Sequence, residues 1–330
     1  MEHRKTLDPD DVRFFRGRSN IPLAKKICAL NHVPLDPAVF RRFSNDDLYI
    51  QLGASVRKRE VYIIQSLDPP VDRNLMELLV MLDIARSSGA KEVHAIVPYF
   101  SYARSDKKDA ARISITGRLV AELLQTAGAN HIMTMMLHSP QVHGFFRIPA
   151  DPLTSRPVFK EHFKGRDLQR TIVVTPDMGA AKSGARFAQD LGNLPVSAGI
   201  KERINDTTVR INGLIGDQIK GNDSAIVYDD EIATGGSIAE ISKVIIAQGI
   251  KKISVVCTHG VFTDNALGKL AAIPEIDEIV TTDTINIPAR KRTANLKVVS
   301  VAPIFAEAIR LNYIGESISN LFAYYKEKGE

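Results

Sequence analysis

Asp229 and Asp230 close an apolar run, "IVYDD", and the stretch "TGGS" at 234–237 then opens a helical pattern. Ala233, Thr234, Gly235, Gly236 and Ser237 form a loop suited to a phosphate. Its glycines permit close backbone approach, and amides at a helix start favour negative charge. The two acids repel that same phosphate. They accept hydrogen bonds well, so a pair of neighbouring hydroxyls suits them. A ligand with a vicinal diol at one end and a phosphate at the other satisfies both halves, which describes a phosphorylated ribose. The plainer reading is a strand–turn–helix with an acidic cap, and the doubled acid at the strand end argues against it.

A second charged stretch is "PYFSYARSDKKD" (98–109), where Arg104, Lys107 and Lys108 stand beside Asp106 and Asp109. By composition alone it is a solvated loop. No G-x-x-x-x-G-K-[ST] pattern occurs, so any nucleotide site is not of the P-loop kind. His138 follows the apolar run "HIMTMML", where a neutral imidazole can face a metal–nucleotide complex. His143 lies too far along for the zinc spacing H-E-x-x-H. Asp177 follows "TIVVTP", placed for a ribose hydroxyl or Mg2+, or as a helix cap. Lys201 and Arg203 begin a polar segment that reads as an exposed hairpin before the strand "VRINGLIGD".

These residues need strands that end where a ligand can sit. "VYIIQSL" (61–67), "EVHAIVPYF" (92–100) and "HIMTMML" (131–137) read as buried strands. Between them, Leu75, Leu78, Leu79 and Leu82 share one helical face, and a further helix spans 114–129. "TIVVTP", "SAIVYDD", "KISVVCTHG" and "LKVVSVA" repeat the pattern in the second half, with helices after the first two. Alternation of this kind predicts right-handed βαβ units and mostly parallel sheets flanked by helices, with ligands beyond the strand C-termini. The Pro-rich "RIPADPLTSRPVFKEHF" suggests a boundary near residue 157, giving domains 1–157 and 158–330.

The chain has 330 residues, 44% hydrophobic and 25% charged, enough for two full cores. A net charge of +5 and a pI near 9.1 suit phosphorylated small molecules. The basic residues form no tail, and Trp is absent, so nothing resembles a nucleic-acid platform. Cys28 and Cys257 lack metal-ligand spacing and read as reduced thiols. The polar start and the lack of a long apolar run predict a cytoplasmic protein with no membrane partner.

The "DDEIATGGS" stretch resembles the phosphoribosyl-pyrophosphate motif shared by type I phosphoribosyltransferases and ribose-phosphate pyrophosphokinases (phosphoribosyl pyrophosphate synthetases). "PPVDRNLMELLVMLDIAR", "PYFSYARSDKKD", "QVHGFFRIPADPL", "TPDMGAAK" and "GESISNLF" are similar to blocks of the latter over nearly the whole chain. The resemblance implies two α/β domains of the type I phosphoribosyltransferase kind, an N-terminal one for ATP and a C-terminal one for ribose 5-phosphate. It implies that the last helix packs back on the first domain. The activity would be a transferase step of nucleotide biosynthesis, moving the pyrophosphoryl group of Mg-ATP to the ribose C1 hydroxyl.

By resemblance, ATP would meet Phe43, Asn45, Asp47, Arg104, Asp106 and His138. Ribose 5-phosphate would meet Asp177, Asp229, Asp230, Ala233, Thr234, Gly235, Gly236 and Ser237. Mg2+ would lie near His138 and Asp177, and Lys201 and Arg203 would be the catalytic pair. Ser55, Arg57, Arg112, Ser317 and Ser319 match a site for phosphate and ADP effectors, in a homo-oligomer, a hexamer built from dimers. The sequence departs from the family at Asp47 (usually Glu), Ser105 (usually Gln), and Met136 and Arg147, where acids are common. Two alternatives therefore stand beside the active synthetase. One is a non-catalytic paralogue acting as a regulatory subunit, the other a base phosphoribosyltransferase, which needs no ATP loop.

Overall fold

A computed structural model describes residues 6–203, 209–217 and 219–322, without the side chains of 201–203 and 209–210. The chain divides into two compact units. Of the described residues, unit 1 holds those up to Thr154, Thr284–Asn286 and those from Val301 on, and unit 2 holds those within Ser155–Asp283 and Ile287–Ser300.

Unit 1 begins with β1 (Val12–Arg16), α1 (Ile21–Leu30), β2 (Ala38–Arg42), β3 (Leu48–Leu52) and β4 (Glu60–Ile64). It continues with α2 (Val71–Ser87), β5 (Glu92–Val97), α3 (Thr116–Ala127), β6 (His131–Met135) and β7 (Ala150–Leu153). Strands β1-β4-β5-β6-β7 form one five-stranded sheet, parallel throughout. β2 and β3 make a separate antiparallel pair. Strands such as β5 and β6 are buried almost end to end, because helices cover both faces of a parallel sheet. On one face, Leu78, Met81 and Leu82 of α2 and Val120 and Leu124 of α3 pack against Phe15, Val61, Ile63 and Ala95.

Unit 2 contains α4 (Arg156–Phe163), β8 (Thr171–Thr175), α5 (Ala181–Asp190), β9 (Val196–Arg203), β10 (Val209–Gly216) and β11 (Ser224–Ile232). There follow α6 (Gly236–Ala247), β12 (Lys252–Gly260), α7 (Ala266–Ala271), β13 (Ile276–Thr282) and β14 (Leu296–Val299). Its seven-stranded sheet runs β10-β9-β8-β11-β12-β13-β14, with only the β9–β10 pair antiparallel. Ile238, Ile241 and Ile245 of α6 face the buried Val227, Val255 and Ile279 in one core. The last helix, α8 (Ala302–Tyr313), packs on α1 and so belongs to unit 1. Asn20 Nδ2 and Ser66 Oγ both donate to the Thr284 carbonyl, which anchors the short return segment 284–286 in that unit.

The Pro-rich stretch around 148–163 is not a linker. It forms β7 and α4, and the units part between Thr154 and Ser155. Pro152 is tolerated because β7 is the outermost strand of its sheet, and Pro157 sits in the first turn of α4, where its missing N–H costs nothing. Among the described residues no helix is long and apolar enough to cross a membrane.

Candidate active site

In unit 2 the sheet presents its acids at the strand ends. β11 is buried from Ala225 to Tyr228 and becomes half-buried at Asp229 and Asp230. The adjacent parallel strand β8 ends at Thr175, just before Asp177. Burial pushes the Asp229 carboxyl well above the ordinary carboxylate range, and the charges of Asp230 and then Asp177 push it further. Three carboxylates thus bear on one another at one edge, a repulsion that hydroxyl donors relieve. Asp229 Oδ1 accepts from the Asp230 N–H at 2.9 Å. Asp177 Oδ1 accepts from the amides of Gly179 (2.9 Å) and Ala180 (3.3 Å), so it also shapes the turn into α5.

The loop after β11 bends through Ala233 and Thr234 to the start of α6. Gly235 is the helix N-cap at φ +76°, a left-handed conformation that glycine adopts without strain. No side chain caps α6, so its first amides face outward as at any open helix start. Gly236 and Thr234 are exposed, and the Ala233 carbonyl accepts from the Thr263 amide at 3.0 Å, pinning the loop to the end of β12.

Unit 1 builds its charged loop differently. Residues 98–115 connect β5 to α3, with Arg104, Lys107 and Lys108 exposed. Ser105 Oγ donates to the Ser114 carbonyl and accepts from the Thr116 amide, both at 3.1 Å, closing the loop on itself. Gly117 permits this, because a Cβ there would lie 3.0 Å from the Tyr102 carbonyl. Tyr102, at φ +63°, donates its hydroxyl to Asp72 of α2 at 3.1 Å. Asp106 accepts from Ser139 Oγ, which brings the loop to the turn that carries the exposed His138.

Phe43, Asn45 and Asp47 sit at the tip of the β2–β3 hairpin. Phe43 is 58% exposed and meets Tyr49 edge-on, while Asn45 Nδ2 donates to Asp47 at 2.6 Å. Lys201 and Arg203 lie on β9, paired with Ile211 and Val209 of β10; their side chains are outside the described residues. Ser55 and Arg57 share a cavity of about 370 Å3 with Ile84 and Ser88. Arg112, at φ +63°, is on the charged loop, and Ser317 and Ser319 hydrogen-bond to each other, so two of those five residues gather around the cavity.

Around His138, Met136 is buried at φ +36°, and Arg147 is exposed. Asp151 is turned toward His131, whose Nε2 lies 2.7 Å from its carboxylate. His131 Nδ1 is in turn 3.1 Å from Nδ1 of the buried His94. Among the described residues, no three His, Cys, Asp or Glu side chains gather as ligands of one ion. Ser139 and the loop-closing role of Ser105 have no local signature. A short hydroxyl side chain shows its worth only when a partner 33 residues away in the chain is known.

Parallel sheets flanked by helices, with acids at their strand ends, define an α/β protein. Two family profiles match: the N-terminal domain of ribose phosphate pyrophosphokinase over residues 12–128, and the phosphoribosyl synthetase-associated domain over 194–323. A Streptomyces coelicolor protein, provisionally named ribose-phosphate pyrophosphokinase, is 47% identical across 94% of this chain and 98% of its own. The Deinococcus radiodurans ribose-phosphate pyrophosphokinase is 43% identical across 93% and 97%. The crystal structure of phosphoribosylpyrophosphate synthetase from Mycobacterium smegmatis superposes with a TM-score of 0.85 at 33% identity, covering 92% of this chain and 99% of that one. The chain belongs to the ribose-phosphate pyrophosphokinase family.

Proposed function

We propose that this chain is an active ribose-phosphate pyrophosphokinase. It transfers the β,γ-pyrophosphoryl group of ATP to the C1 hydroxyl of ribose 5-phosphate, giving phosphoribosyl pyrophosphate and AMP. The observation that carries the reading is the meeting of Asp177, Asp229 and Asp230 with an α6 start that no side chain caps. The acids take the ribose hydroxyls, and Thr234, Gly235, Gly236 and Ser237 take the 5-phosphate. Arg104, Asp106 and His138 contact ATP, Arg104 being the cation suited to its phosphates, and Phe43 stacks on the base with Asn45 and Asp47 beside it.

The transfer requires nucleophile, phosphorus and leaving oxygen in line, so positioning and electrostatics do the work. Lys201 and Arg203 meet negative charge as it builds on the transferred group. His138 and Asp177 are the residues that would meet Mg2+ arriving with the triphosphate, where it would neutralise phosphate oxygens.

Family resemblance supports a cytoplasmic homo-oligomer, a hexamer built from dimers, that responds to phosphate and ADP through Ser55, Arg57, Arg112, Ser317 and Ser319. The free, buried Cys28 and Cys257 accord with a reducing compartment. Mixing the protein with ribose 5-phosphate and Mg-ATP and following AMP release tests the activity. AMP appearing only when ribose 5-phosphate is present supports it. Tight binding of both substrates without AMP would mark a non-catalytic subunit instead.

A further inference from the structure

The charged loop of unit 1 is fastened by backbone bonds, Ser105 N–H to the Tyr102 carbonyl at 2.9 Å and Gly117 N–H to the Ser105 carbonyl at 3.1 Å, and by hydroxyl groups besides. Tyr102 ties its first turn to α2 through Asp72. Ser105 joins its two ends, bonding to the Ser114 carbonyl and the Thr116 amide. A further tie reaches the turn after β6. Ser139, one residue beyond His138, gives its hydroxyl proton to the carboxylate of Asp106.

The same Ser139 oxygen lies 2.8 Å from Gln141 Oε1. One hydroxyl proton cannot serve two acceptors, and the carboxylate is the stronger one. The proton therefore goes to Asp106, and Gln141 Oε1 lies beside the same oxygen as the lesser acceptor. The result is a hydrogen bond directed from Ser139 to Asp106. It fixes the direction of the Asp106 carboxylate and fastens the turn bearing His138 to the loop bearing Arg104. Asp106 and Ser139 are each half-buried, so water replaces this tie only in part when it is removed.

We infer that Ser139 is a positioning residue for the nucleotide: it holds Asp106, and with it the charged loop, in the shape that binds ATP, without touching the reacting atoms. The inference rests on reading 98–115 as the nucleotide loop. It distinguishes Ser139 from the groups that contact substrate, because its effect must pass through Asp106.

The test is steady-state kinetics on the full chain with Ser139→Ala and Ser139→Thr, varying ATP and ribose 5-phosphate separately. Loss of a hydrogen bond to a charged group predicts a rise of about tenfold in KM for ATP in Ser139→Ala. KM for ribose 5-phosphate, kcat and Tm should stay at the parent values, and Ser139→Thr, which keeps the hydroxyl, should restore KM for ATP. In an Asp106→Asn background, Ser139→Ala should add nothing further, since the partner charge is already gone. An unchanged KM for ATP in Ser139→Ala would overturn the inference. So would equal increases in both KM values with a lowered Tm, or full additivity with Asp106→Asn. A parent chain that releases no AMP overturns the functional reading and this inference together, whereas an active parent with an indifferent Ser139→Ala overturns the inference alone.

Discussion

Both units carry a loop at strand ends that the proposed function gives to a phosphorylated ligand, yet they build it from different materials. In unit 2 the β11–α6 loop is backbone-made: Gly235 turns the chain at φ +76°, α6 presents uncapped amides, and the acids ride on a paired strand. In unit 1 the β5–α3 loop carries its charges on exposed Arg104, Lys107 and Lys108, and the hydroxyls of Tyr102, Ser105 and Ser139 add to its backbone bonds in setting its shape. The Gly235 turn acts between chain neighbours. Hydroxyl ties join distant segments, and each can be cut singly.

The largest effect should come from a group that serves neither loop's ground state. Lys201→Ala should lower kcat by about 10²–10³, or roughly 2.7–4 kcal/mol of barrier, with both KM values kept. An unaltered kcat would remove Lys201 from the chemistry. Next, Asp230→Ala should raise KM for ribose 5-phosphate about tenfold or more while KM for ATP holds, and Arg104→Ala should do the reverse. If either variant moved both constants together, the division of labour between the loops would fall.

Gly235→Ala probes the backbone device. A Cβ at a left-handed position costs about 1–2 kcal/mol, so thermal unfolding should shift down. Ser105→Ala, cutting a side-chain tie in an exposed loop, should leave Tm nearly unmoved and speed amide exchange around 105–116.

The pH dependence is the finest contrast. Burial, and then the charges of His131 and Lys91, press His94 in unit 1 down to about 3 from an ordinary 6.5. Between those values the unfolded chain binds a proton that the folded chain refuses, so stability falls as pH drops below 6.5. Asp229 in unit 2 behaves oppositely. Its folded carboxyl holds a proton above the ordinary 3.8, so its contribution is most favourable below that value and is lost as pH rises through the raised range. Asp229→Asn should therefore raise Tm at neutral pH while it weakens ribose 5-phosphate binding. A lowered Tm in that variant would show the acid to be stabilising, contrary to its crowding.

Much of this was written in contiguous residues. Strands β5, β8, β11 and β12 are continuous apolar runs, and α2, α3 and α6 carry helical spacing ended by glycine. Elements with polar or Pro-bearing sequences are harder to read. β7 carries Pro152 at a sheet edge, α4 starts at Ser155–Arg156–Pro157, and β13 hides Glu278, whose buried charge is met by Arg166, His162 and Ser254 from other segments. Glu77 reads as a solvated residue of α2 yet is fully buried, held by the Arg18 side chain. The site divides along the same line. Asp229, Asp230 and the glycine turn are adjacent, so their chemistry could be argued from spacing. Asp106 and Ser139 become partners only when β5 and β6 lie side by side.

The most direct measurement follows one phosphorus atom. With ATP labelled at the β-phosphorus and ribose 5-phosphate present, the label should leave the nucleotide and appear in phosphoribosyl pyrophosphate, with unlabelled AMP formed in equal amount. Label retained in ADP, or retained in ATP while both substrates are bound, would contradict pyrophosphoryl transfer by this chain.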